Sequence, residues 1–468
     1  MFFSFEKDKN RSYIYQQIYE ELKYHILNRK LKANEKLPSK RKLAEQLNVS
    51  VNSVTNAYEQ LLAEGYIYTK ERKGYYVENI TPFIHQEAST EHKLPSDLKE
   101  TVHDEEGWLS LSHMTSDVSA FPFSEWMKCQ QRAIKNHKKE LSELPHPQGP
   151  YLVRKTISNI IAMSRGVICE PEQIVIGAGT QLLIRALMEI KQNDTVVAME
   201  DPGYSRIYTL LKNMGFDVRT LHLDEEGIDM KEIESDINFL FVTPSHQFPT
   251  GKIMPISRRI ELLNWSTQGF NRYIVEDDYD SEFKYETDHI PSLQSLDRNH
   301  RVIYTGTFSK TILPGLRISY MVLPPNMLKA YRNYHYNLMQ NSNSLALYTL
   351  HYFVETGGYA RHLKRMNHLY ELKRKILIRQ IEKRFGHLAT IDNIPAGLHF
   401  LAKFQTKISY ERFERRIKEE KLEVYSMRRF QLKNIDKKKA TIELVLGFAN
   451  IKEEQIPEAV DRLYRVLY

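Results

Sequence analysis

The sequence predicts a multidomain chain: a small three-helix unit closed by a hairpin, a large α/β unit on a mostly parallel sheet, and a smaller α+β unit at the end. Three observations carry this. Apolar residues recur at helical spacing through the first eighty positions. From Trp108 onward, short apolar runs alternate with helical patterns, as in a parallel sheet covered by helices on both faces. Between them, residues 81–107 lose hydrophobic periodicity and read as an exposed linker. The domains expected are therefore 1–80, a linker at 81–107, and 108–468, with the small subdomain at about 335–468.

Composition narrows the class. Of the 468 residues, 41% are hydrophobic and 27% charged, which is ordinary for a globular protein with sizeable cores. No apolar run approaches the roughly 20 residues of a membrane span, and residues 1–8 are too short and charged for a signal peptide. Cys129 and Cys169 are the two cysteines, outside any C-x-x-C pattern. A cytoplasmic protein without disulfide, metal site or membrane partner is expected. The net charge of +7 is uneven: within 23–42 there are eight basic residues and one acid, Glu35. Such a block suits either nucleic acid or a solvated helix face.

In the first unit, Ile14, Ile18, Leu22 and Ile26 recur every four positions and predict a helix over 11–29. Ser39, after Pro38, is placed to cap a second helix with Leu43, Ala44 and Leu47 inward. A third starts at Ser50, with Val54, Ala57, Tyr58, Leu61 and Leu62 inward and Gly65 at its end. Its outer face is Asn52, Ser53, Thr55 and Asn56, small uncharged polar groups suited to reading a DNA groove. Two β runs, 66–69 and 75–77, flank a tip that carries Arg72 and Lys73. This is a winged helix-turn-helix pattern. The run Leu37-Pro38-Ser39-Lys40-Arg41-Lys42-Leu43-Ala44, then Val49-Ser50 and Ala57-Tyr58-x-x-Leu61-x-x-Glu64-Gly65, resembles the DNA-binding domain of the GntR family. The resemblance implies double-stranded operator DNA as partner. Lys40 and Arg41 would sit on phosphate or base, Ser50, Asn52, Ser53 and Asn56 in the major groove, and Arg72 and Lys73 in the adjacent one. Val51 stands where the family usually has a basic residue, which shifts weight to Lys40, Arg41 and the wing.

In the second unit, strands are predicted at 174–176, 195–198, 239–242, 273–275, 302–304 and 318–322, and nearly every one runs into a candidate ligand group. After the first, Gly177-Ala178-Gly179-Thr180-Gln181 opens a helix, a ready anion site. After the second come Tyr204, able to stack on a flat ring, and Arg206, able to hold a carboxylate. Gln247 follows the third and could donate to a phenolate oxygen. The fourth leads into Glu276-Asp277-Asp278-Tyr279: Asp277 could keep a pyridine nitrogen protonated, and Tyr279 could bond the ring hydroxyl. The fifth delivers Thr307, Ser309, Lys310 and Arg317, which are hydroxyls and a guanidinium for a phosphate with an amine for a Schiff base. Pyridoxal 5'-phosphate (PLP) needs all of these at once.

Ala178-Gly179-Thr180, Asp277-x-Tyr279 and Ser309-Lys310 with Arg317, in this order, resemble fold-type I PLP-dependent transferases, the aspartate-aminotransferase-like group. With the winged helix in front, His246-Gln247-Phe248-Pro249-Thr250-Gly251 and Glu276-Asp277-Asp278-Tyr279-Asp280-Ser281-Glu282-Phe283 resemble the MocR/GabR-type subgroup of GntR regulators. The resemblance implies a Lys310 Schiff base, Asp277 on the pyridine nitrogen, Tyr279 on the ring oxygen and Tyr204 against the ring. It also implies a head-to-tail homodimer with the site at the interface, near His146–Arg154. Working aminotransferases usually carry a carboxylate-clamping Arg where this chain has Val445, so Arg206, Arg428 and Arg429 are the candidates for an effector carboxylate, suiting an ω-amino acid.

The reading is a PLP-dependent transcriptional regulator that senses an amine or amino acid by external aldimine formation at Lys310, without physiological turnover. The alternative is an active PLP-dependent aminotransferase carrying a DNA-binding domain. A regulator that has lost its cofactor is disfavoured by Lys310, Asp277, Tyr279, Ser309 and Arg317 standing together.

Overall fold

The computed structural model describes residues 13–80, 94–100, 106–113, 117–191, 194–285, 290–392, 396–433 and 441–468. The expectations for the charged start of the chain and for most of the linker fall outside these residues, although Ser96–Leu98 forms a single 3-10 turn. The chain divides into two compact units, Met1–Asp104 and Glu105–Tyr468.

The first unit has helices α1 (Ile14–Leu27), α2 (Lys40–Leu47) and α3 (Val51–Ala63), then strands β1 (Ile67–Lys70) and β2 (Gly74–Val77). Ser39 caps α2 by accepting from the Lys42 N–H, and Ser50 caps α3 by accepting from the Ser53 N–H. Asn48 turns left-handed at φ 50° to end α2, which makes the short corner between the two helices. The Tyr58 hydroxyl donates to the Pro38 carbonyl at 2.9 Å and ties α3 to the start of α2. Leu43, Val54, Ala57, Tyr58 and Leu61 are fully buried.

Two expected core positions are exposed. Ile14 is 39% exposed, because steps of four residues drift around a 3.6-residue helix and Tyr19 takes the inner place. Leu62 is 38% exposed, about a quarter-turn from the buried Leu61.

The second unit holds a seven-stranded sheet and a four-stranded one. After the short β3 (Leu109–Ser110), the larger sheet comprises β4 (Ile174–Gly177), β5 (Val196–Asp201), β6 (Asp217–His222), β7 (Ile237–Val242), β8 (Tyr273–Asp278), β9 (Val302–Thr307) and β10 (Ser319–Val322). Their order is β4-β10-β9-β8-β7-β5-β6, and only β10 runs against its neighbours. Strands β5, β7, β8 and β9 carry central runs of buried apolar residues, as strands covered on both faces do. The edge strand β6 escaped sequence reading because Asp217, Arg219 and His222 break its apolar run.

The smaller sheet contains β11 (Ala389–Asp392), β12 (His399–Gln405), β14 (Tyr425–Ser426) and β15 (Thr441–Gly447), in the order β11-β12-β15-β14, all antiparallel. The run 422–426 is divided between two pairings. β13 (Leu422–Glu423) pairs in parallel with β3, while β14 pairs with β15. Helices Gly358–Phe385 and Ile456–Leu467 share this layer's core with Phe400, Phe404 and Phe413. No helix among the described residues is long and apolar enough to cross a membrane.

Candidate functional site

The parallel strands deliver their last residues to one end of the larger sheet, where a cavity of about 180 Å³ opens. It is lined by Gly179, Thr180, Gln181, Tyr204, Arg206, Asp277, Tyr279, Thr307, Ser309, Lys310 and Arg317, the groups read from strand ends, together with His113, Thr243, Phe248, Pro314 and Ser319.

One end is built for an anion. Gly179, at φ 114°, immediately precedes helix Thr180–Glu189, whose first N–H groups have no intrahelical acceptor. The Arg317 guanidinium packs against Gly179 so closely that an added Cβ would lie 2.1 Å from Nη2. Thr307 Oγ1 accepts from the Ser309 N–H at 3.1 Å and from the Ser319 hydroxyl at 2.8 Å. The Ser309 hydroxyl is buried and has no partner among the described residues. A buried hydroxyl left in that state points to a missing acceptor.

At the other end, Lys310 Nζ donates to the His113 carbonyl at 2.8 Å. Burial, against the pull of Asp280 and with a smaller push from Arg206, brings the Lys310 amine down to about 8. A lysine near neutrality is a usable nucleophile. Burial raises Asp277 to about 7, with the neighbouring Asp278 and Asp280 adding, against a hydrogen bond from the Thr305 hydroxyl at 3.0 Å.

Other acids of the run that ends β8 serve the fold. Glu276 accepts from the Leu293 and Gln294 N–H groups at 2.8 Å, and Asp278 pairs with buried Arg165 at 2.6 Å. Asp280 faces His246. Strand alternation thus separates Asp277 from its neighbours.

Not every expected residue reaches the cavity. Gln247 is buried outside the lining: its amide donates to Glu200, to Pro202 O and to Phe248 O, while its carbonyl accepts from Thr250. Loop geometry consumes the donor that the sequence offered to a phenolate. Arg428 is exposed, paired with Glu411 at 2.6 Å. Arg429 is exposed and also outside the lining; it stacks at 4.2 Å on Tyr425, whose ring lies 5.8 Å from that of His113. Val445 is fully buried in an apolar cluster with Phe248, Leu401 and Phe430.

Sequence reading missed His113. Its ring is buried against Phe248, His399, Tyr425 and Phe430, and burial, then Lys310, brings it down to about 3. The neutral ring has no partner for either nitrogen among the described residues. Only a two-residue strand precedes it, so no local pattern marks the position.

PLP fits this donor set. Gly179, Thr180, Gln181, Ser309 and Arg317 would hold the phosphate, Asp277 the pyridine nitrogen, Tyr204 the ring face and Lys310 the aldehyde carbon.

On the first unit, Arg41, Asn52, Asn56, Arg72 and Lys73 are exposed. Lys40 turns back, 3.5 Å from Glu59 and over the Tyr75 ring. The Ser50 and Ser53 hydroxyls lie 2.9 Å apart at the helix cap, which leaves them less free to meet a groove than the two asparagines.

Comparison with known proteins agrees with both halves. Residues 14–77 match the gntR family of bacterial regulatory proteins, and residues 108–463 match aminotransferase class I and II. The HTH-type transcriptional regulator YdeL of Bacillus subtilis (strain 168) is 35% identical over 96% of both chains. The probable rhizopine catabolism regulatory protein MocR of Rhizobium meliloti is 32% identical over 85% of this chain and 83% of its own. Among solved structures, the multiple substrate aminotransferase of Thermococcus profundus shares the fold at TM-score 0.69 and 20% identity, over 83% of this chain and 98% of its own.

Head and cavity together define a DNA-binding transcriptional regulator whose second unit has the fold of a type I aminotransferase. The chain belongs to the MocR subgroup of the gntR family of bacterial regulators.

Proposed function

We propose that this regulator binds PLP in the cavity and an amine or amino acid beside it, and that the effector changes the affinity of the first unit for operator DNA. When bound, PLP would supply an aldehyde able to condense with a primary amine, and Lys310 is the residue that would hold that carbon in the absence of effector. The supporting observation is the placement of Lys310, Asp277 and the Gly179–Arg317 cup around a single cavity. Arg206, which lines the cavity, would receive an effector carboxylate, with Arg429 over Tyr425 as a second candidate, and an amino acid whose carboxylate lies away from its amine would suit them. Lys310, with its amine lowered to about 8, can release its proton without leaving the neutral range. Arg41, Asn52, Asn56, Arg72 and Lys73 would meet the operator.

The protein would work in the cytoplasm as a head-to-tail dimer. Tyr334, Tyr336, Leu338 and Met339 are exposed just before Asn341, whose side chain accepts from the Ala178 N–H beside the cup. An exposed apolar group of this kind suits contact with a second copy.

The test is selection of DNA ligands with the full, PLP-loaded chain, followed by titration with a panel of amines. At least one amine is expected to change DNA affinity by about tenfold, a typical coupling, and to lose that effect in Lys310→Ala. An equal effect in Lys310→Ala would overturn the proposal.

A further inference from the structure

Behind the cavity wall lie three buried groups that the proposed function does not use: His246, Asp280 and His399. His246 Nδ1 stands 3.0 and 3.2 Å from the two Asp280 oxygens and 2.9 Å from the Tyr279 hydroxyl. A neutral imidazole carries one hydrogen, on either nitrogen. With that hydrogen on Nε2, a bare lone pair at Nδ1 would face the carboxylate, which offers only lone pairs of its own. The hydrogen therefore sits on Nδ1. Nε2 is then the bare nitrogen, and it has no partner among the described residues. A bare acceptor is the milder of the two buried vacancies.

The surroundings hold this arrangement. The His246 ring lies against Gly397, where an added Cβ would come within 2.0 Å of Cε1. Asp280 Oδ2 also accepts from the Leu398 N–H at 3.2 Å, so the carboxylate is fixed from a second element. His399 donates its Nε2–H to the Pro249 carbonyl at 3.2 Å and brings no competing donor to His246. The groups facing His246 are thus Asp280, Tyr279 and His399. Those acting on Lys310 are Asp280 and Arg206, with the His113 carbonyl as its acceptor.

The consequence falls on Tyr279. The single Nδ1–H is shared between the Asp280 carboxylate and the Tyr279 oxygen, which accepts on that side, so the hydroxyl's own proton must turn elsewhere. Tyr279 lines the cavity. We propose that Asp280 fixes His246 as an Nδ1–H donor, and that this donor turns the Tyr279 hydroxyl proton into the cavity, toward the ring oxygen of bound PLP. His246 and Asp280 are positioning residues for Tyr279. The inference rests on the reading of the cavity as a PLP site.

A donor at the ring oxygen stabilises its anionic form, and that oxygen shares a proton with the nitrogen of Lys310-linked PLP. Losing the donor raises the pH at which this proton leaves. The test is a pH titration of the visible band of the full chain loaded with PLP, in wild type and in single and double variants with Tyr279→Phe. Asn places an amide N–H near the Nδ1 position, whereas Gln places one near Nε2. His246→Gln is expected to raise the midpoint by about one pH unit, a tenfold change in proton affinity, and His246→Asn to stay near wild type. In the Tyr279→Phe background, His246→Gln is expected to add nothing.

A midpoint unchanged by His246→Gln, or shifted equally with and without the Tyr279 hydroxyl, would overturn the proposal. If His246→Gln fails to fold, Asp280→Asn read in both backgrounds decides the point. Its charge effect on Lys310 is common to the two, so a shift independent of Tyr279 overturns the proposal and an upward difference with the hydroxyl present supports it. Wild type showing no lysine-dependent band with added PLP would instead refute the PLP reading itself.

Discussion

Gly179→Ala separates the strain of a backbone from the function of the group packed on it. Gly179 has φ 114° and ψ 152°, a region essentially reserved for glycine, so any side chain there costs about 1–3 kcal/mol of stability. That strain is present with or without cofactor and leaves affinity alone. The second effect does not cancel. The new Cβ would lie 2.1 Å from Arg317 Nη2, so the guanidinium must leave the cup. A charged hydrogen bond to phosphate contributes about 1.5–3 kcal/mol, so PLP affinity should fall by about 10- to 100-fold. Gly215→Ala is the control: its φ is also positive, at 88°, but nothing lies within 4 Å of an added Cβ. It should lower the melting temperature and leave PLP affinity unchanged. Spectroscopic titration with PLP, beside thermal unfolding of the cofactor-free chains, reads both quantities. Equal PLP affinities for the two variants would refute the assignment of the cup.

Three further outcomes are expected. Arg165→Ala leaves Asp278 buried without its cation, since the two side chains are 3% and 1% exposed; it should cost about 3–5 kcal/mol in denaturant unfolding of the second unit. Arg41→Ala, at an exposed site, should leave thermal stability unchanged, weaken DNA binding across sequences, and reduce the salt slope of log affinity by about 0.9. The cofactor-free protein should lose stability as pH rises from about 4 toward 7. Asp277 is held up near 7 by burial, so the folded state keeps a proton that the unfolded chain has released. Asp277→Asn should flatten that slope by about 1.4 kcal/mol per pH unit, and an unchanged slope would contradict the burial argument.

Much of this arrangement was legible in the chain. Strand–ligand alternation placed Gly179, Tyr204, Asp277, Ser309 and Lys310 at successive strand ends, and a parallel sheet brings such ends together. Caps at Ser39 and Ser50 announced two helix starts, and both side chains accept the expected N–H. What stayed hidden depends on three-dimensional closure. Gln247 looks available in sequence, but its loop folds back and claims both ends of the amide. Arg428 and Arg429 are indistinguishable as letters; one step along a 3-10 turn sends the first to Glu411 and the second over Tyr425. Lys373 and Arg374 sit in a helix rich in basic residues, which as sequence suits solvent, yet both are buried, and Lys373 donates to Asp117 and to the Ala449 carbonyl. His113 arrives from a segment with no periodicity and gains its place through pairing of β3 with β13.

The most direct test of the central claim is the visible absorption spectrum of the full chain with added PLP, beside that of Lys310→Ala, as amines and amino acids are titrated in and keto product is assayed. The predicted result is a band that requires Lys310 and shifts with at least one amine without steady product. A spectrum identical in wild type and Lys310→Ala, unchanged by every amine, would contradict it.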